Sequence, residues 1–188
     1  MAYRKLTGID EKIILAIWQL GAADGARKVT ARKVGALCGV SDYTVFCHFG
    51  RSNRGFLDAA AQHFFSQHLE PLLDFVSRGG SIEEIWDSAL DSLLSEINGT
   101  LYFNSYYASF GPGNLVYAPE TRTQADAALA LACGRPNYEH ATLLLDHFLS
   151  CVFSYAEYFA RKPEKNTPET RTFLRALICN GLAAAENQ

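Results

Sequence analysis

Residues 30–49 read TARKVGALCGVSDYTVFCHF, and this stretch decides the fold. Apolar residues recur at helical spacing on both sides of Gly39, with Val34, Leu37 and Cys38 before it and Val45, Phe46 and Phe49 after it. Gly39 suits a tight turn because glycine adopts positive φ at little cost, and the Ser41 hydroxyl can cap the helix that follows. The pattern predicts a helix-turn-helix, although an ordinary helical hairpin inside a bundle would share the same spacing.

A longer helix precedes this stretch. Asp10 and Glu11 lie in its first turn, where acidic groups favour the positive end of the helix dipole. A broad apolar stripe runs from Ile13 to Leu20, and Gly25 ends the helix. We expect this helix to pack against the two shorter ones.

Residues 10–56 resemble the DNA-binding region of the tetracycline-repressor-type (TetR) transcriptional regulators. The resemblance is carried by a helix over residues 12–23 with Gly25 after it, then Thr30, Val34, Gly39-Val40-Ser41 and Val45-Phe46-Cys47-His48-Phe49. These residues span about a quarter of the chain. The resemblance implies an all-α protein, with a three-helix helix-turn-helix DNA-binding head in residues 1–51 and a helical-bundle ligand-binding and dimerisation domain in residues 52–188.

Candidate DNA contacts follow from the resemblance and from positions on these helices: Thr30, Arg32, Ser41, Asp42, Tyr43, Thr44, His48, Arg51 and Arg54. The resemblance places Asp42, Tyr43 and Thr44 toward base edges, and Thr30 and His48 toward phosphates. An Asp can accept a hydrogen bond from the cytosine amino group, whereas Tyr and Thr can pack on a thymine methyl. An acidic side chain also repels phosphate, so Asp42 serves either base recognition or the helix N-terminus.

Three positions depart from the family pattern. Phe46 stands where Tyr is often found, which removes a hydroxyl able to bond phosphate. Ser52 stands where Lys is common, and the flanking Arg51 and Arg54 could restore the lost charge. Gly35 stands where a small Ala is usual, which permits close packing at some cost in helix stability. These changes affect individual phosphate contacts more than the class of protein.

Charge is distributed unevenly along the chain, whose formal net charge is −3. Residues 1–56 hold nine Lys and Arg against four Asp and Glu, whereas residues 57–188 hold eight against sixteen. A basic head on an acidic body fits a head that faces phosphates, although chance variation in surface charge would also produce such a difference.

Aromatic side chains crowd one short predicted helix, residues 101–110. They could simply fill a core, or they could enclose an apolar ligand that Tyr hydroxyls, Asn104 and Ser105 would orient. Residues farther up the chain are candidates for the opposite wall of such a pocket. The candidate ligand-binding residues are therefore Phe64, His68, Trp86, Tyr102, Phe103, Tyr106, Tyr107 and Phe110.

Further helices are predicted along the body. Pro71 should kink or split the helix that continues from Ser52, and Ser81 with Glu84 forms a capping box for a helix that ends at Asn98-Gly99. Two long segments, residues 138–161 and 168–184, close the chain. Their apolar stripes either pair with a second copy in a four-helix dimer interface, as the resemblance implies, or lie buried in one subunit. The candidate interface residues are Leu144, Phe148, Cys151, Val152, Tyr155, Phe159, Phe173, Leu174, Leu177 and Ile178.

Other kinds of site find little support in the sequence. The five cysteines are scattered without a CxxC pair, which favours reduced thiols over disulfides or a zinc site. No glycine-rich phosphate loop, HExxH helix or nucleophile elbow occurs, so we expect no catalytic residue, metal or cofactor. No apolar run has the length of a membrane span and no signal segment is recognised, so a cytoplasmic location is expected. Cys47 lies on the predicted DNA-reading helix, where oxidation could alter binding.

These features predict a homodimeric, ligand-responsive DNA-binding transcriptional regulator rather than an enzyme. The resemblance implies that the protein would act as a repressor. Its partners would be a near-palindromic double-stranded DNA operator and a small-molecule effector that the sequence does not identify. The alternative is a helical small-molecule binding or sequestering protein without operator recognition, which Asp42, Phe46 and Ser52 keep open.

Overall fold

The protein is built from α-helices joined by short turns. Its structure is a computed structural model that describes residues 8–50, 52–111, 119–134 and 141–184, with only the backbone described at residues 119, 141–143 and 178–184. The helices are α1 (Gly8–Asp24), α2 (Ala31–Cys38), α3 (Asp42–Phe49), α4 (Asn53–Phe64), α5 (Glu70–Ser77), α6 (Ile82–Ser95), α7 (Ile97–Phe110), α8 (Pro119–Ala132), α9 (Ala141–Arg161) and α10 (Pro168–Ala184). These ranges contain no β-strand, and the predicted all-α fold is confirmed.

The helix that follows Ser52 is interrupted, as Pro71 predicts. After α4 ends at Phe64, the π-helical segment Phe65–Leu69 follows, and α5 then begins at Glu70 with Pro71 in its first turn. Proline is tolerated at the start of a helix because its missing N–H would have no partner there.

The two ends of α6 test two predictions. Its first turn forms the predicted capping box, in which Ser81 Oγ accepts from the Glu84 N–H at 3.2 Å and Glu84 Oε2 accepts from the Ser81 N–H at 3.0 Å. Asn98 and Gly99 do not end the helix, however, because they lie in the first turn of α7. The break falls earlier, at Glu96, whose φ of −131° and ψ of 75° are not helical.

Within the described ranges the chain divides into two compact units. Unit 1 comprises residues 8–67 and 98–111, and unit 2 comprises residues 68–97 and 119–184. Unit 1 therefore contains α1 to α4 together with nearly all of α7. The division into domains between residues 51 and 52 stays a prediction about which parts of the chain act separately.

Helix α1 supplies the centre of unit 1. Ile13 and Ile17 are fully buried, as are Val34 of α2 and Val45 of α3. Trp18 is 3% exposed, and its indole N–H donates to the carbonyl of Ala60 at 3.1 Å. Burial of one large apolar side chain stabilises a fold by about 1.5–3 kcal/mol, so this cluster stabilises the packing of α1 against α2 and α3.

Helix α7 packs on the same core. A Cβ at Gly21 would overlap the ring of Tyr102, so only glycine lets this ring approach α1 so closely. The Tyr102 hydroxyl donates to the carbonyl of Leu57 at 2.6 Å, and Ser105 Oγ accepts from the Ala26 N–H at 2.8 Å. These contacts attach α7 to α1, to α4 and to the turn between α1 and α2.

Unit 2 has its own core, to which α5, α6, α8 and α9 contribute. The Trp86 ring lies 6.1 Å from that of Phe148 and 6.0 Å from that of Tyr155, both in edge-to-face geometry. Two arginines of α10 pair with aspartates of α6, at 2.6 Å for Arg171–Asp91 and 3.1 Å for Arg175–Asp87. None of the described helices is both long and apolar enough to cross a membrane.

The apolar stripe of α9, part of the predicted dimer interface, is buried in the single chain. Leu144, Phe148, Val152 and Phe159 are at most 4% exposed in the single chain. Their side chains fill the core of unit 2, which accords with the interpretation that this stripe lies buried in one subunit, and a role for these four residues in a dimer interface stays a prediction. Cys151 and Tyr155, on the same helix, are half-buried.

Helix α10 differs from α9 in what it exposes. Leu174 is 8% exposed and packs inward, whereas Phe173 is 65% exposed and Leu177 is 53% exposed. The side chain of Ile178 lies outside the described residues. Among the predicted interface residues whose side chains are described, Phe173 and Leu177 are therefore the two that present large apolar surface outward.

Candidate nucleic-acid interface

The turn between α2 and α3 depends on two glycines. Gly39 ends α2 with a φ of 73°, in the left-handed region that favours glycine. The Val40 N–H donates back to the carbonyl of Gly35 at 2.9 Å, and a Cβ at Gly35 would lie only 2.6 Å from the carbonyl oxygen of Val40. The turn is thus closed more tightly than an alanine at position 35 would allow.

Ser41 caps α3 as its position predicts. Its Oγ accepts from the Thr44 N–H at 3.1 Å and lies 2.9 Å from the Thr44 hydroxyl. Val45 is fully buried, whereas Phe46 and Phe49, which follow it on the apolar pattern of this helix, are only half-buried. The fixed start and the buried Val45 hold α3 in place and leave its other face outward.

The outward face of α3 carries Asp42, Tyr43 and Cys47. Tyr43 is 74% exposed, and its hydrogen bond with Cys47 raises the pKa of the phenol. Asp42 Oδ1 accepts from the Tyr43 N–H at 2.8 Å. That contact accords with the helix N-terminus interpretation of Asp42, and base recognition by its carboxylate stays a prediction.

His48, near the end of α3, contacts a residue of α1. Its Nδ1 lies 2.6 Å from Oδ1 of Asp10, a side chain that is 2% exposed, whereas the His48 side chain is 24% exposed. The pair joins residues 38 positions apart in the sequence. One imidazole nitrogen is thereby occupied inside the protein.

Further candidate phosphate contacts lie at the start of helix α2. Thr30 caps the helix by accepting from the Lys33 N–H at 3.3 Å, and Lys33 Nζ lies 3.0 Å from Asp24 Oδ2. A hydrogen bond from Lys33 lowers the pKa of Asp24, with the Lys33 charge adding to the effect. Arg32 is exposed, and its guanidinium has no partner among the described residues. Arg32 is thus the cation of α2 that is most available to DNA.

Arg54 lies in a position that the sequence did not suggest. Its guanidinium donates to the Asp58 carboxylate and, at 3.1 Å, to the Tyr106 hydroxyl, and it lies 4.3 Å from the centre of the Phe110 ring. These contacts within unit 1 do not favour the predicted contact with phosphate. Ser52 caps α4 by accepting from the Gly55 N–H at 3.0 Å, and Arg51 lies outside the described residues.

The candidate ligand-binding residues of unit 1 pack against one another. The rings of Phe64 and Phe103 lie 5.1 Å apart, and Tyr102 and Tyr106 are fully buried, whereas Tyr107 is 52% exposed. Burial, followed by a hydrogen bond to Asp58 at 2.6 Å, raises the pKa of Tyr106 to about 12. Within unit 1 these contacts favour a filled core, and a ligand-binding role for these residues stays a prediction.

The other two candidates, His68 and Trp86, belong to unit 2. Burial lowers the pKa of His68, although the charge of Glu96 opposes this effect. Trp86 is 1% exposed, and its indole N–H has no hydrogen-bond partner among the described residues. A buried tryptophan N–H usually has a partner, so this donor is one that a ligand oxygen could satisfy.

Three residues that organise unit 1 were not recognised as such from the sequence. The sequence did contain a signal for Asp58, because a position four residues after Arg54 on the same helix predicts an ion pair between the two. The sequence also contained a signal for Gly21, since a glycine inside an apolar helix often marks a place where another element packs close to the helix backbone. Asp10 was interpreted only as a first-turn acid, and nothing in the local pattern points to His48.

Solved structures are similar to this chain, whereas no family model and no curated protein matches it. A transcriptional regulator from Rhodococcus sp. Rha1 has a TM-score of 0.68 at 18% identity, with 95% of this chain and 97% of that one covered. A TetR family transcription regulator from Marinobacter aquaeolei VT8 has a TM-score of 0.64 at 14% identity, with 92% and 94% covered. The fatty acid degradation regulator FadR from Bacillus halodurans has a TM-score of 0.60 at 14% identity, with 95% and 96% covered.

These similarities extend over more than nine tenths of each chain, so they include the body as well as the helix-turn-helix. At such low identities they describe a shared fold and not a shared operator or ligand. This chain therefore has the all-α fold of the TetR-family transcription regulators.

Proposed function

We propose that this protein is a DNA-binding transcriptional regulator that acts as a homodimer and responds to a small molecule. The observation that carries the proposal is the exposed face of α3. Tyr43 is 74% exposed on a short helix whose opposite side is anchored by the buried Val45. A helix presented in this way can enter the major groove of DNA with its first residues against base edges.

In the proposed complex, Tyr43 and Thr44 meet base edges while residues at the periphery hold the phosphates. Thr30, Arg32 and His48 are the phosphate contacts that the described geometry leaves available. The excess of basic residues in residues 1–56 attracts the DNA backbone and makes binding depend on salt. The resemblance to the TetR regulators supports repression as the outcome.

A homodimer would present two such helices to successive major grooves. The centres of two half-sites lie roughly 34–36 Å apart on DNA, and a two-fold axis accounts for a near-palindromic operator. Phe173 and Leu177 of α10 support the dimer, because large apolar side chains exposed on one helix are stabilised by burial against a second copy.

Ligand response is supported by the buried indole N–H of Trp86 in unit 2. A ligand that favours one arrangement of the body over another by about 1–3 kcal/mol would change DNA affinity by 5-fold to 150-fold. The effector can be identified by screening compounds for those that release the purified protein from its operator. A compound that binds tightly and leaves operator affinity unchanged would contradict this coupling.

The first experiment is a selection of random duplex DNA by the purified full-length chain, followed by sequencing of the enriched pool. We expect a near-palindromic motif whose affinity falls steeply between 50 and 200 mM salt, as it does for proteins that contact several phosphates. A pool without an enriched motif would contradict operator binding.

Two variants then separate base recognition from phosphate contact. Tyr43→Ala should cost about 1–3 kcal/mol on the selected motif and relax base preference, whereas Arg32→Ala should weaken all sequences alike and lower the salt slope by about 1. Electrophoretic mobility-shift titrations of DNA with each variant, at several salt concentrations, measure both effects. Tyr158→Ala, which removes an exposed tyrosine of unit 2, serves as the matched control and should leave DNA affinity unchanged.

A second function is favoured by one observation, the internal position of Arg54. With Arg54 bound to Asp58 and Tyr106, and with Phe46 lacking a hydroxyl, the head offers fewer phosphate contacts than the resemblance implies. A helical protein that binds or sequesters a small molecule without reading DNA would have these features. Equal and negligible effects of Tyr43→Ala and Arg32→Ala would favour it.

A further inference from the structure

Asp10 and His48 form a pair that neither the helix pattern nor the proposed DNA contacts explain. The Asp10 carboxylate is almost completely buried, although it lies in the first turn of α1. Its Oδ1 is 2.6 Å from Nδ1 of His48, which is a short distance for a hydrogen bond between nitrogen and oxygen. Burial of a carboxylate is unfavourable unless it is hydrogen-bonded, so this contact is a constraint on both side chains.

The contact determines which nitrogen of His48 is free to act. An ionised carboxylate only accepts hydrogen bonds, so Nδ1 must carry the proton that lies between the two residues. The identity of the protonated nitrogen in a histidine is set by the hydrogen bond that one nitrogen makes, which leaves Nε2 as the remaining polar atom of His48. The His48 side chain is 24% exposed and lies on the same helix as the outward-facing Tyr43 and Cys47.

We propose that Asp10 is a positioning residue for DNA binding: its buried carboxylate orients His48 so that Nδ1 points inward and Nε2 meets a phosphate of the operator. Because phosphate oxygens accept hydrogen bonds, Nε2 contacts a phosphate when the imidazole carries a proton there as well, and both nitrogens then donate. This inference rests on the proposed function and adds a residue of α1 to a surface formed by α2 and α3.

The tautomer of His48 is the first test, and it needs no substitution at Asp10. Nitrogen-15 NMR of the full-length chain, labelled at its five histidines, distinguishes a protonated Nδ1 from a protonated Nε2. The signal of His48 is assigned by its loss in His48→Gln. We expect the Nδ1–H form in the neutral imidazole of the free protein, and the Nε2–H form would overturn the proposal.

A double-substitution experiment separates positioning from general support of the fold. Asp10→Asn should lower affinity for the selected operator about tenfold, the loss expected for one weakened charge-assisted hydrogen bond. In the His48→Gln background the same change should have no further effect, because Asp10 acts through His48. Equal losses in both backgrounds would overturn the proposal, since they would show that Asp10 only supports the head.

Glu11→Gln is the matched control for charge. Glu11 is the exposed neighbour of Asp10 on α1, so its replacement removes one negative charge without touching His48. It should not lower operator affinity. If the unmodified chain shows no specific DNA binding, the proposed function fails and this inference fails with it, whereas specific binding with additive effects overturns this inference alone.

Discussion

At the scale of single residues, Gly35 shows how little space separates the helices of the head. The carbonyl oxygen of Val40 lies close to the place that a Cβ at position 35 would take. The Val40 N–H donates a hydrogen bond to the Gly35 carbonyl. Gly35 therefore permits the turn because it has no side chain, and its backbone carbonyl stabilises the turn by accepting a hydrogen bond. An alanine, usual at this position in the resembling family, would have to move the turn outward.

Gly35→Ala should therefore destabilise the protein, by about 1–3 kcal/mol as for other overpacked sites. Alanine is the better helix former by about 1 kcal/mol, so a net loss would show that the contact with Val40 outweighs helix propensity. Thermal unfolding followed by circular dichroism measures the change. Gly8→Ala is the control, because a Cβ there meets no atom within 4 Å. Equal stability of the two variants would contradict the argument.

At the scale of helices, α7 is attached to the head through its last turn as well as through Tyr102. Arg54 of α4 and Arg27, from the turn after α1, both lie over the ring of Phe110, at 4.3 Å and 5.9 Å from its centre. Arg27 also donates to the carbonyl of Ser109 at 2.9 Å. Two cations on one aromatic ring bind the end of α7 to two separate elements of unit 1.

Arg54→Ala should loosen this attachment instead of removing a DNA contact. We expect a loss of about 1 kcal/mol, because the guanidinium is partly exposed and screened by water. Amide hydrogen exchange of residues 105–110 should become faster, whereas Arg32→Ala should leave it unchanged. Unchanged exchange together with a lower salt slope of DNA binding would show instead that Arg54 contacts phosphate.

The helices of the head were predictable because their signals are local. Gly39, Ser41 and Thr30 act within four residues of themselves, and the capping box at Ser81 is equally local. The contacts of Arg54 within unit 1 were not predictable from local sequence, because one of its partners, Tyr106, is 52 residues away. The end of α6 was misplaced because Asn98-Gly99 is a common turn sequence, which α7 accommodates in its first turn.

At the scale of the whole molecule, the apolar stripes of the last two helices could not be assigned from the sequence. A stripe such as Phe148 and Val152 is equally suited to a core and to an interface, because both bury it. The structure assigns the α9 stripe to the core of unit 2 and leaves Phe173 and Leu177 exposed. The interface in a homodimer is therefore expected to be centred on α10.

Replacement of Phe173 and Leu177 together by Glu should convert the proposed dimer to a monomer, since each copy would bring two charges to an apolar contact. Sedimentation velocity measures the change, and operator affinity should fall with it because each monomer reads only one half-site. Leu131→Glu is the control, as Leu131 is 62% exposed on α8. A double variant that sediments like the unmodified chain would contradict the assignment.

The chain contains two tryptophans, and the structure places one in each unit. Trp18 donates to Ala60 in unit 1, whereas Trp86 is enclosed by Phe148 and Tyr155 in unit 2. The intrinsic ultraviolet emission of an indole shifts to longer wavelength as its surroundings become polar. Conservative replacement of either tryptophan by phenylalanine therefore leaves an emission spectrum that reports on one unit alone, with no added label.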